Sequence, residues 1–179
     1  MFAEPVPPDN VVAVLYLQHA RIRDQFDVVT GSAGPGREAA FDLLRELLAA
    51  HEAAESVALR AFTEKLLPPE LTRARSVEEE AAARELAELE RLDAQSPEFA
   101  ARLRLLEEAF ALHAVHEETE EFPAVLAELS EREQRDLGRW VLRASAGGPT
   151  GRPSPGRYTA LRDRARERLA EVRRTTEPG

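Results

Sequence analysis

The stretch His113-Ala-Val-His-Glu-Glu-Thr-Glu-Glu-Phe-Pro123 closes the helix whose pattern decides the fold. Steps of three and four from Phe99 reach Leu103, Leu106, Phe110, His113, Glu117 and Glu120. Phe99 to Phe110 form the apolar inward stripe expected of a bundle helix. His113, Glu117 and Glu120 continue that stripe with ligand-type side chains. Charged groups enter a core only when paired, because stripping their water is costly. A histidine and a carboxylate one turn apart, both aimed inward, call for a partner, and a metal cation is the simplest one.

The same grammar recurs upstream. After Pro7-Pro8, Asp9 or Asn10 supplies a cap for a first helix to about Val29, with the stripe Val12, Leu15, His19, Ile22, Phe26, Val29. Gly31–Gly36 reads as a loop. A second helix runs from about Arg37 to Lys65, with the stripe Phe41, Leu44, Leu48, His51, Glu55, Ala58, Phe62, and stops at Pro68-Pro69. His51 and Glu55 are again spaced by four, which puts both side chains on one face. The pattern predicts a third helix from Ser76 to about Leu92, with a start as early as Glu70. Leu86 and Leu89 anchor it, and seven residues before Leu86 comes Glu79, aimed at the core or its edge. Ser76-x-x-Glu79 also fits a capping box, a competing role for that carboxylate.

Asp93–Pro97 turns the chain into the fourth helix. Phe122-Pro123 bends it or marks a new start. A shorter helix follows from Ser130, whose Glu133 completes a capping box, to about Ala144, with Trp140 as its packing anchor. Residues 145–157 read as a linker. From Arg152 to Arg174 eight arginines face three acids, so the helical tail is basic on an acidic body and is expected to pack across that body, with nucleic-acid binding as the alternative. The expected architecture is all-α: an up-down-up-down four-helix bundle and one more short helix over residues 1–144, then a linker and Arg-rich helical tail over 145–179.

Composition narrows the function. The net charge of −9 argues against a nucleic-acid or anionic-membrane partner. With no cysteine, thiolate zinc sites, iron–sulfur clusters and a Cys nucleophile are excluded. The absence of a long apolar run and of a signal-peptide pattern leads to the expectation of a cytoplasmic protein. No serine or threonine joins the histidines in a hydrolase-like triad.

In a bundle, the faces bearing His19, His51 with Glu55, and His113 with Glu117 converge on one interior point, with Glu79 offered from the third helix. Imidazole and carboxylate donors without thiolate suit iron, manganese or zinc. His116 lies on the flank of the stripe, as an outer-sphere residue or alternative ligand, and Glu80 is a neighbour of Glu79 one residue out of register.

Leu17-Gln-His-Ala-Arg-Ile-Arg23, His51-Glu-Ala-Ala-Glu55, His113-Ala-Val-His-Glu117 and Glu120-Glu-Phe-Pro123 together resemble the hemerythrin-like (HHE cation-binding) family, in its bacterial branch, over residues 10–144. The resemblance implies a non-haem di-iron centre that binds or senses dioxygen, nitric oxide or peroxide, or holds iron. Glu55 and Glu117 would then be bridging carboxylates, and His19, His51 and His113 nitrogen ligands. The family's third helix supplies histidines that this chain lacks, since the matching region reads Val77-Glu-Glu-Glu-Ala-Ala-Ala83. With Glu79 as substitute the shell holds three His and three Glu, which favours the ferric state. That shifts the expectation from reversible oxygen carriage toward iron oxidation, peroxide chemistry or a single-metal site. The competing reading is a metal-free helical binding module that has lost part of the site.

Overall fold

The computed structural model describes residues 7–145 and 157–176. Among the described residues there are eight α-helices: α1 Val11–Gly31, α2 Gly34–Ala54, α3 Arg60–Leu66, α4 Pro69–Leu89, α5 Pro97–His116, α6 Phe122–Glu128, α7 Glu131–Ser145 and α8 Arg157–Thr176. Two five-residue π-helical turns, Glu55–Leu59 and Glu117–Glu121, join α2 to α3 and α5 to α6. The bundle therefore has four rods: α1, α2 with α3, α4, and α5 with α6. No strand occurs among the described residues.

The ends follow local chemistry. Asn10 caps α1 by accepting from Val12 N at 2.8 Å. Its own amide donates to Gln134 Oε1 at 2.5 Å, which ties the start of α1 to α7. Ser96 caps α5 by accepting from Phe99 N. Ser130 and Glu133 form the expected capping box before α7. One boundary departs from the sequence reading, and another settles at the earlier of the two expected starts. The second rod starts at Gly34, where φ is +54° and Pro35 opens the first turn, so the loop is shorter than Gly31–Gly36. The third rod starts at Pro69, so Ser76 lies mid-helix, donates to Thr72 O and caps nothing.

The expected stripes are buried. His19 and His51, and the Glu55 and Glu117 carboxylates, lie among the core residues, although Phe62, His113 and Glu120 are only partly covered. The core is split in two. One cluster gathers Ile22, Phe26, Leu44, Leu48, Leu86, Phe99, Leu106 and Phe110. The other gathers Val12, Leu15, Ala54, Leu59, Phe122, Val125 and Trp140. The histidines and carboxylates fall on the boundary, between Leu15 and Ile22 on α1, between Leu48 and Ala58 on the second rod and between Phe110 and Phe122 on the last.

The C-terminal segment is a fifth long helix laid along α2. Tyr158 belongs to the first cluster and Leu169 to the second, so α8 spans the polar layer from outside. Trp140 Nε1 donates to Leu169 O at 2.8 Å. Arg162 and Arg166 both face Glu52, and the Tyr158 hydroxyl donates to the same carboxylate. The basic tail thus meets an acidic group on α2. Of the expected linker, residues 146–156 lie outside the described residues.

Candidate metal centre

Three of the four rods deliver donors to one level of the bundle. His19 comes from mid-α1, where Phe122 stacks on its ring with centroids 5.7 Å apart. His51 and Glu55 are one turn apart across the end of α2, and His113 and Glu117 stand likewise at the end of α5. In both rods the glutamate opens the π-helical turn. Arg60 N–H reaches back five residues to Glu55 O, and Phe122 N–H to Glu117 O. The wider turn lets a continuous helix absorb an extra residue next to the site. Pro123, which has no N–H to give the regular ladder, accounts for the second turn.

The donors converge. His19 Nε2 lies 3.0 Å from His51 Nε2 and 3.2 Å from Glu117 Oε2. His51 Nε2 lies 2.8 Å from Glu55 Oε1. His113 Nε2 stands 3.2 Å from Glu117 Oε1 and 3.9 Å from Glu55 Oε2. One oxygen of each carboxylate therefore faces the His19–His51 side and the other faces His113. One donor atom each from His19, His51, Glu55 and Glu117 falls within 4.8 Å of all the others, with all four residues buried.

The outer ring nitrogens fix what the inner ones can do. His19 Nδ1 faces Glu118 Oε1 at 2.8 Å, an oxygen that Arg23 also holds. His51 Nδ1 faces Gln18 Oε1 at 3.0 Å, and His113 Nδ1 faces Glu78 Oε2 at 3.0 Å. Oxygen acceptors there place the proton of a neutral ring on Nδ1 and leave a lone pair on each Nε2. Three lone pairs and two carboxylates then point at one another in a dry interior. Glu55 Oε1 and Glu117 Oε2 are buried without an aligned hydrogen bond. That arrangement is repulsive until a positive charge enters it, and the donor set and its outer partners fit a metal ion.

Titration shifts report the same field. Burial opposes charge on His51, but Glu55 and then Glu117 outweigh it and raise its pKa. Burial likewise opposes charge on His113, yet Glu117, Glu55 and Glu78 push its pKa well up. Burial works against an ionised Glu55, but His51 and His113 hold its pKa well below the ordinary range. Glu121, on the same π-turn as Glu117, is pushed up to about 7 by burial and then by the charges of Glu117 and Glu55.

The α4 contribution differs from the expectation. Glu79 lines a cavity with His51 and His113 but bonds neither: one guanidinium nitrogen of Arg60 donates to both of its oxygens, at 2.5 and 2.6 Å. Its neighbour Glu78 reaches them instead, bonding His113 through one oxygen and His116 Nδ1 through the other, each at 3.0 Å. Glu80 is exposed on the outer face. His116 is an outer residue on the far side of Glu78. Gln18, Glu118 and Glu121 escaped the sequence reading. Gln18 and Glu118 adjoin His19 and Glu117, so adjacency to an inward donor was the available signal.

Two spaces adjoin the cluster. A largely apolar cavity of about 160 Å³ is lined by His51, Glu55, Leu106, Phe110, His113 and Tyr158 among others. A polar one of about 20 Å³, room for roughly a single water, lies among Glu55, Arg75, Glu117 and Glu121.

A family model described as the hemerythrin HHE cation binding domain matches residues 10–125. The chain belongs to that family. A solved structure of a hemerythrin HHE cation binding domain-containing protein from Mycobacterium kansasii aligns with a TM-score of 0.67 at 20% identity, covering 91% of this chain and 98% of that one. At that identity the likeness speaks for the fold. Among curated proteins none matches the chain. As a hemerythrin-like domain it is all-α, with a buried His/Glu cluster compatible with a metal site. No described helix is long and apolar enough to cross a membrane.

Proposed function

We propose that this hemerythrin-like chain holds non-haem iron, as one ion or two, and uses it to bind, sense or react with dioxygen, nitric oxide or peroxide. The observation that carries the reading is the triad of imidazoles, each hydrogen-bonded outward at Nδ1 and aimed inward at Nε2, around the unsatisfied oxygens of Glu55 and Glu117. His19, His51 and His113 would be the nitrogen donors and Glu55 and Glu117 the carboxylate donors. Iron bound there would supply an open coordination position and exchangeable electrons. Leu106 and Phe110 line the largely apolar cavity, whose character suits a small uncharged diatomic. Glu121, with a pKa near neutrality, is placed to hold a proton beside the two carboxylates.

The test is metal analysis of protein from iron-supplemented cells, then anaerobic loading with ferrous iron and exposure to oxygen, nitric oxide and peroxide. The expected result is bound iron whose optical spectrum changes with one of these, and loss of the iron in His51→Ala and Glu117→Ala. A chain that takes up no metal under any loading condition would falsify the reading.

A further inference from the structure

The two rods carrying His-x-x-x-Glu repeat one another in register: His51, Glu55, the π-turn and Arg60 on one, and His113, Glu117, the π-turn and Phe122 on the other. The rods before them repeat as well. Gln18 on α1 holds His51 Nδ1, and Glu78 on α4 holds His113 Nδ1. The next residue along, His19 on α1, therefore corresponds to Glu79 on α4. Even the cover corresponds across the halves, because Phe122 stacks on His19 while Arg60 clasps Glu79.

The correspondence breaks in one respect. His19 turns its Nε2 into the cluster, whereas both oxygens of Glu79 are taken by Arg60. The His19 half offers four donors, two imidazoles and two carboxylates, enough for a four-coordinate cation. On the His113 side the cluster offers only His113 Nε2 with the second oxygens of Glu55 and Glu117. Arginine keeps its charge at any ordinary pH. Arg60 shares the polar cavity wall with Glu55, Glu79 and Glu117, and Glu79 lines the apolar cavity with His113, so a fixed positive charge already stands next to the carboxylates that face that half. Charge counting points the same way: one dication neutralises Glu55 and Glu117, while a second would have to draw on Glu121, the other buried carboxylate of that wall, with a guanidinium beside it.

Resting on the proposed function, we infer that the chain holds a single metal ion between His19, His51, Glu55 and Glu117, and that the Arg60–Glu79 ion pair stands in for a second one.

The test counts ions in the full-length wild type and in Arg60→Phe/Glu79→His, which copies the His19–Phe122 arrangement into the other half. Each is loaded with ferrous iron under anaerobic conditions, and separately with Mn(II) for electron paramagnetic resonance. The wild type is expected to bind one ion per chain and to give the spectrum of an isolated Mn(II). The double variant is expected to bind two and to show exchange coupling. Two ions or a coupled spectrum in the wild type would overturn the inference, as would a single ion in a double variant whose circular dichroism is unchanged. Should the double variant misfold, the wild-type count and spectrum decide alone. No metal in either protein would instead overturn the function on which the inference rests.

Discussion

The Glu78 carboxylate stands 3.0 Å from His113 Nδ1 and, through its other oxygen, braces His116 at the same distance. It orients the imidazole and holds a proton on the outer nitrogen, so that Nε2 is the nitrogen an ion takes once the inner proton is displaced. Arg75, 3.1 Å away, steadies the same carboxylate. Burial works against ionisation of Glu78, but His113 and Arg75 together hold its pKa below the ordinary value. Glu78→Ala is expected to weaken metal affinity by about 10- to 100-fold, the usual cost of losing an outer-sphere partner. Competition titration with a chromophoric chelator measures it, and an unchanged dissociation constant would remove Glu78 from the site.

Metal uptake should release protons. Without an ion, the strongly raised pKa of His113 keeps positive charge in the cluster as imidazolium, the upward shift of His51 favours a second proton there, and an ion must displace the protons present. Because the shifts are upward, the competition persists at neutral pH and strengthens as pH falls, so apparent affinity drops on acidification. Calorimetry in buffers of different ionisation enthalpy reads the proton count directly. Heats that do not depend on the buffer would mean the cluster is already deprotonated.

Gly138 on α7 rests against the start of α1. A Cβ there would collide with Asp9 O, lie 2.7 Å from Val11 N and 2.8 Å from Asn10 C, all of them backbone atoms that cannot rotate away. Gly138→Ala gains helix propensity but forces α7 off α1 at the Asn10–Gln134 bond. Overpacking of this kind costs about 1–3 kcal/mol. The thermal midpoint should fall accordingly, and a midpoint equal to or above that of the wild type would show that α7 has slack against α1.

The four-rod bundle and five of the inward donors were legible because apolar neighbours set their register. His19 sits between Leu15 and Ile22, and His51 follows Leu48, so the helical period alone aims them. The α4 donors were not legible, because Glu78, Glu79 and Glu80 follow one another in a stretch with few large apolar residues. Neither periodicity nor Ser76, which mimics a cap, says which carboxylate turns inward. What decides is Arg60, nineteen positions upstream, whose claim on Glu79 only the folded chain reveals. The π-turns were half-legible, since Pro123 marks the second while nothing in Glu55–Leu59 marks the first. The weak amphipathy of the tail likewise concealed how much of α2 it covers.

Tyr158 carries that cover. Its ring is buried beside the apolar cavity and its hydroxyl donates to Glu52, whose other oxygen Arg162 holds at 2.8 Å. Burial and then the Glu52 charge raise the phenol well above its ordinary pKa of 10.0. A group whose pKa is raised by folding contributes stability that is complete below the unfolded value and is lost as pH climbs through the folded one. The wild type should therefore lose stability progressively from about pH 10 upward. Tyr158→Phe removes that dependence and, by stripping a donor from a buried carboxylate, costs about 1–3 kcal/mol at neutral pH. The two proteins should converge in stability as the solution becomes alkaline. Urea unfolding of both at pH 7 and pH 11 makes the comparison, and a gap of equal size at the two pH values would mean that the phenol does not titrate with unfolding.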